Sequence, residues 1–122
     1  MDKRKILIID SKTFPASDLR ESLFSLDCSI LDIIPNSRKV VSSIQKSIPD
    51  LILATLGSEE DIESILIVEQ IKKKFPIPVI YLTKTPSNYL FLRAKKTTPV
   101  NYLFYPISGK ELEIALELAF WN

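Results

Sequence analysis

Two kinds of apolar segment alternate along this chain, and that alternation restricts its fold more than any other feature. Lys5–Ile9 is short, β-branched and bounded by charge, which predicts a buried strand. Ser29–Ile34, stopped by Pro35, predicts a second strand, and Asp50–Ala54, Pro78–Thr83 and Val100–Tyr105 predict three more. Between them the apolar spacing is helical. Leu19, Leu23 and Leu26 share one face over Ser17–Leu26, with Ser17 placed to cap it. Val40, Val41, Ile44 and then Ile48 line the segment from Ser37 to Ser47 and just beyond. Ser58–Phe75 turns Ile62, Ile65, Leu66, Val68, Ile71 and Phe75 inward, and Ser58 with Asp61 resembles a capping pair. Thr85-Pro86 fits a cap followed by proline at the first helical position, opening a helix to about Lys96. Ser108-Gly109-Lys110-Glu111 fits a capping box for a last helix reaching about Trp121. Uninterrupted apolar strands with helical crossovers predict an α/β fold: a doubly wound, five-stranded parallel sheet of the flavodoxin-like kind. Such sheets bind ligands at the carboxyl ends of their strands, which directs attention to Asp10, Thr55, Thr83 and Tyr105.

A chain of 122 residues fits one domain, 1–122, and needs no disulfide or metal to complete its core. Cys28 is the one cysteine, expected as a buried, inert thiol. Sixteen basic residues nearly cancel fifteen acidic ones, so no direct nucleic-acid partner is expected. No apolar run is long enough for a bilayer or a signal peptide, so no membrane partner is expected and a cytoplasmic location is. The chain has no histidine, which excludes histidine-based triads, histidine metal sites and phosphohistidine carriers. The only glycines are Gly57 and Gly109, so the glycine-rich loops that cradle phosphates are missing. Glu59, Glu60, Asp61 and Glu63 are expected in the first turns of the third helix, where its dipole favours them. Lys72–Lys74 are expected as a solvated face at its end. No cofactor and no metal are predicted.

Four segments, KILIID, PDLILAT, PVIYLT and NYLFYP, resemble the response-regulator receiver domain (CheY-like), in that family's order and near its spacing. The resemblance covers almost the whole chain. It implies two-component signal transduction and a site made of an acceptor aspartate, acidic Mg²⁺ ligands, a hydroxyl and a lysine before proline. The metal and lysine there offset charge on the transferring group. This chain matches that site in part. Asp10 takes one acidic position, but Ser11 stands where a second acid is usual. The phosphoacceptor position falls on Thr55, the hydroxyl position on Thr83 and the lysine position on Tyr105, before Pro106. The aromatic position that often reports activation is Tyr102. The family's proline and glycine after the acceptor fall on Glu59 and Glu63. The family's Lys-Pro bond is commonly cis, which extends the same expectation to Tyr105-Pro106.

A threonine is a poor replacement for the acceptor carboxylate, since an alcohol needs a positioned base and no histidine is available. Plain structural roles stand beside these assignments: Asp10 as a turn cap, Thr83 as a strand end, Tyr102 as core. The expected function is therefore that of a degenerate receiver, a pseudo-receiver that is no enzyme and works as a phosphorylation-independent protein–protein interaction module. Two alternatives stay open: a phospho-responsive regulator or phosphorelay member with an atypical site at Thr55, and a small-ligand binder at the strand ends. For the partner surface, Tyr89, Leu90, Phe91 and Leu92 are consecutive, and one helix cannot bury all four in its own core. With Phe104 and Trp121 they predict an apolar face for a protein partner or homodimer, formed by the fourth helix, fifth strand and fifth helix.

Overall fold

The computed structural model describes residues 3–11, 19–35 and 39–121. Five strands alternate with five helices: β1 (Arg4–Asp10), α1 (Leu19–Ser25), β2 (Cys28–Pro35), α2 (Lys39–Lys46), β3 (Leu51–Leu56), α3 (Glu63–Lys74), β4 (Val79–Thr83), α4 (Asn88–Lys95), β5 (Asn101–Phe104) and α5 (Gly109–Phe120). All strands pair in parallel, in the order β2-β1-β3-β4-β5. The chain starts in the interior of the sheet, moves to one edge and then crosses back, so the order reverses between β1 and β3. This is the doubly wound α/β sheet that the alternation predicts.

Strand side chains alternate between two cores. Leu7, Ile9, Ile52, Ala54, Val79 and Tyr81 pack against α2, α3 and α4. Ile6, Ile8, Leu51, Leu53, Ile80 and Leu82 pack against α1 and α5. β3 and β4 are buried along their whole length and β1 over Ile6–Ile9, which is why these stretches are continuous apolar runs. Each fully buried aliphatic side chain contributes about 2 kcal/mol through the water it excludes. At the other end of the sheet, Lys5 and Asp50 tie β1 to β3. The Lys5 amide donates to Asp50 Oδ2, and the Asp50 amide donates to the Lys5 carbonyl, both at 2.7 Å.

Several expectations are corrected by packing. The proposed cap Ser17 and the helix start at Ser37 lie outside the described residues. Ile48 does not continue the buried stripe of Val40 and Ile44: α2 ends at Lys46, and Ile48 is 57% exposed. Ser58 caps nothing, because α3 begins five residues later, behind Ile62, with no side-chain cap. Asp61 is drawn back toward β1 instead, so of the four acids only Glu63 lies in the first turn of α3. Thr85 is not the cap of α4. Ser87 is, with Oγ accepting the Leu90 amide at 3.2 Å. The Ser108 cap forms as predicted and accepts the Glu111 amide at 3.0 Å. Ile67, outside the predicted inward set, is buried. Lys73 and Lys74 are exposed, whereas Lys72 is half-buried and its ammonium is held below its usual pKa by desolvation. Cys28 is buried in β2, and burial raises its thiol pKa, with Asp27 adding to the effect. No described helix is long and apolar enough to cross a membrane.

Candidate functional site at the strand ends

At the reversal point the ends of β1 and β3 bring Asp10, Ser11 and Thr55 together. Asp10 is half-buried at the end of β1, while Ser11 and Thr55 are buried. The Ser11 amide donates to Thr55 Oγ1 at 2.7 Å. The Ser11 hydroxyl donates to Asp61 Oδ2 at 2.6 Å, so a carboxylate from the β3–α3 loop folds back over the site. Thr55 has no exposed surface. Its hydroxyl oxygen closes the β1–β3 junction and is shielded from a phosphodonor. A hydroxyl at neutral pH also lacks the charge that makes a carboxylate an acceptor.

Thr83 is likewise fully buried. Its hydroxyl donates its one proton to the Leu56 carbonyl at 2.6 Å and accepts the Thr85 amide at 3.1 Å. The group expected to bond phosphoryl oxygens is thus committed to the chain's own backbone. Tyr105 follows β5, its amide donating to the Thr83 carbonyl at 2.8 Å. The Tyr105-Pro106 peptide is cis. The Tyr105 ring is partly buried in the core beneath α1 and α5, so an aromatic ring occupies the place where the resemblance puts a cationic chain end. Asp10 and Asp61 both bring carboxylates to these strand ends, and among the described residues no group of three or more acidic or cysteine side chains is placed to hold a metal ion.

Three hydroxyls escaped notice in the sequence as a group. Thr83 bonds Leu56, Thr85 Oγ1 donates to the Gly57 carbonyl at 2.6 Å, and Ser87 Oγ donates to Glu59 Oε1 at 2.5 Å. Their alternate spacing in Thr83-Lys84-Thr85-Pro86-Ser87 was the available signal. It was hidden because the last two hydroxyls sit where helix caps are sought.

On the α4–β5 side the aromatic residues form a second cluster. Tyr102 meets Phe91 edge-on at 5.2 Å between ring centres and Phe104 at 5.7 Å, and lies 6.1 Å from the Tyr81 ring. The buried Tyr81 hydroxyl shares a hydrogen bond with Thr97 Oγ1 at 2.8 Å. The Tyr102 hydroxyl is buried with no hydrogen-bond partner. Desolvation raises both phenol pKa values. Tyr89, Phe91, Leu92 and Phe104 are exposed. Leu90 is not: it is fully buried in the α2–α3–α4 core, and is corrected from the predicted surface set. A helix turns about 100° per residue, so one of four consecutive residues must face the sheet. Trp121 is 80% exposed but stands apart from this cluster. It lines a groove of about 870 Å³ with Lys3, Arg4, Leu26 and Phe120, at the end of the sheet where β1 begins.

No protein-family model matches the chain, and no curated protein matches it by sequence. Solved structures do match. Over 97% of its length the chain is similar to the signal receiver domain of a modulated diguanylate cyclase from Desulfovibrio desulfuricans G20, covering 94% of that chain at 25% identity and a TM-score of 0.81. It is similar over 94% of its length to a two-component response regulator from Clostridium difficile, covering 93% of that chain at 24% identity and a TM-score of 0.77. A receiver domain (CheY-like) from Methylobacillus flagellatus aligns with 94% of this chain and 97% of its own, at 17% identity and a TM-score of 0.73. The five-stranded sheet, its order and its flanking helices are thus those of the response-regulator receiver (CheY-like) domain, and the chain has that fold.

Proposed function

We propose that residues 1–122 form one receiver-like domain of two-component signalling that has lost aspartyl-phosphate chemistry and works by binding a protein partner. The supporting observation is the acceptor position. Thr55 is fully buried there, and its Oγ1 accepts the Ser11 amide at 2.7 Å. A group so placed has neither the charge nor the access that phosphoryl transfer requires. The proposed binding face is Tyr89, Phe91 and Leu92 of α4 with Phe104 of β5, an apolar patch on the surface of a protein of ordinary composition.

The decisive measurement is mass spectrometry of the intact protein after incubation with Mg²⁺ and acetyl phosphate. The expected mass is unchanged. A stoichiometric gain of one phosphoryl group would overturn the proposal and favour an atypical phospho-responsive site.

A further inference from the structure

The hydrogen bonds of Thr83, Thr85 and Ser87 carry the link between the two segments past the end of the β3–β4 pairing, the last two shifted by one residue from its register. Leu56 and Thr83 are the last register partners of β3 and β4. From that point the main-chain ladder stops, and hydroxyl side chains take over. Thr83 reaches the Leu56 carbonyl, Thr85 the Gly57 carbonyl, and Ser87 the Glu59 carboxylate. The donors are spaced two residues apart through a bend at Lys84 and a tight turn in which the Ser87 amide donates to the Thr85 carbonyl at 2.9 Å. The last link has a second role. Ser87 Oγ, while donating to Glu59, also accepts the Leu90 amide and so caps α4. A hydroxyl supplies one proton and two lone pairs, so both bonds form together. The bond to Glu59 is of the charge-assisted kind, stronger than a neutral one.

We propose that this hydroxyl ladder is a strap that fixes the start of α4 against the β3–α3 loop, with Glu59 as the residue that positions the α4 cap. The strap holds Tyr89, Phe91 and Leu92 in one permanent arrangement around the buried Leu90. It needs no added group at the strand ends, since every acceptor belongs to the chain. The strap stands on these bonds alone. Its consequence, a constitutively presented face, rests on the reading of that face as a binding surface.

The test is site-resolved amide hydrogen exchange on the whole protein. Glu59→Ala is expected to speed exchange of the Leu90 amide about tenfold, the scale of one lost charge-assisted bond. Glu59→Gln, which keeps an acceptor, is expected to raise it less. Glu60→Ala removes an equal charge from the same loop without touching Ser87, and is expected to leave the Leu90 amide unchanged. An unaltered Leu90 rate in Glu59→Ala overturns the strap. So does an equal rise in Glu60→Ala, which would assign the effect to loop charge. A rise shared by Ile8 and Leu53 overturns it as well, since the change would then be global. Exchange requires no partner and no phosphodonor, so failure of the strap and failure of the proposed function are read separately.

Discussion

The strand-end site and the α4–β5 face lie on the same molecule but handle polar groups in opposite ways. At the strand ends, Ser11, Thr55, Thr83, Thr85 and Ser87 are bonded to one another, to the backbone or to loop carboxylates. At the α4–β5 face, aromatic rings pack edge to face, and the Tyr102 hydroxyl is buried with no partner. A buried hydroxyl left unpaired costs about 1–3 kcal/mol, while each edge-on aromatic pair contributes about 0.5–1.5 kcal/mol. In the first region these hydroxyls are taken up by hydrogen bonds within the chain. The second is held by ring packing and keeps apolar surface in water.

The sharpest way to break this comparison is to restore a carboxylate. Thr55→Asp buries a charge opposite the Ser11 amide at a fully buried position. It is expected to lower stability by about 3 kcal/mol in urea unfolding and to leave the protein unphosphorylated by acetyl phosphate. The milder Thr55→Val keeps shape and removes the oxygen that accepts the Ser11 amide, with an expected loss of about 1–2 kcal/mol. A Thr55→Val protein as stable as the parent would show that the Ser11–Thr55 bond adds nothing to stability.

Tyr102→Phe tests the other region. Removing an unpaired hydroxyl is expected to leave stability unchanged or raise it by up to about 1 kcal/mol, and a clear loss would reveal a partner for that group. The alkaline limb provides a second reading. Burial raises the folded pKa values of Tyr81 and Tyr102 above the ordinary 10.0. The folded protein therefore retains phenol protons that the unfolded chain releases above about pH 10. The stability tied to those protons is fully present below that pH and is lost as pH rises through the folded values. Urea midpoints measured between pH 9 and 11 are expected to fall, and to fall less steeply in Tyr102→Phe.

The smallest effect on stability is expected at Leu92, which is 56% exposed. Leu92→Ser should change unfolding free energy by under about 0.5 kcal/mol. The same change should reduce self-association, measured by sedimentation velocity at rising concentration, if the occupant of the face is a second copy. A loss of stability above that range would place Leu92 in the core instead.

The alternation of apolar runs by itself determined the element order, the doubly wound sheet and its two cores, because burial on both faces is written locally as continuous β-branched strands and helical stripes. The residue types at positions 10, 11, 55, 83 and 105 likewise pointed to a depleted site, since chemistry depends on which groups are present. Local pattern failed where partners are distant in sequence. Thr85 was as good a cap as Ser87 until Gly57 claimed its hydroxyl from 28 residues away. Asp61 matched Ser58 in spacing, but its carboxylate went to Ser11, 50 residues back. Helical phase, set by packing against the sheet, put Leu90 inside and its neighbours outside. The direction of α5 carried Trp121 to the opposite end from the α4–β5 cluster. Each of these outcomes depends on which groups the folded chain brings within hydrogen-bond reach or van der Waals contact, and only the tertiary structure decides that.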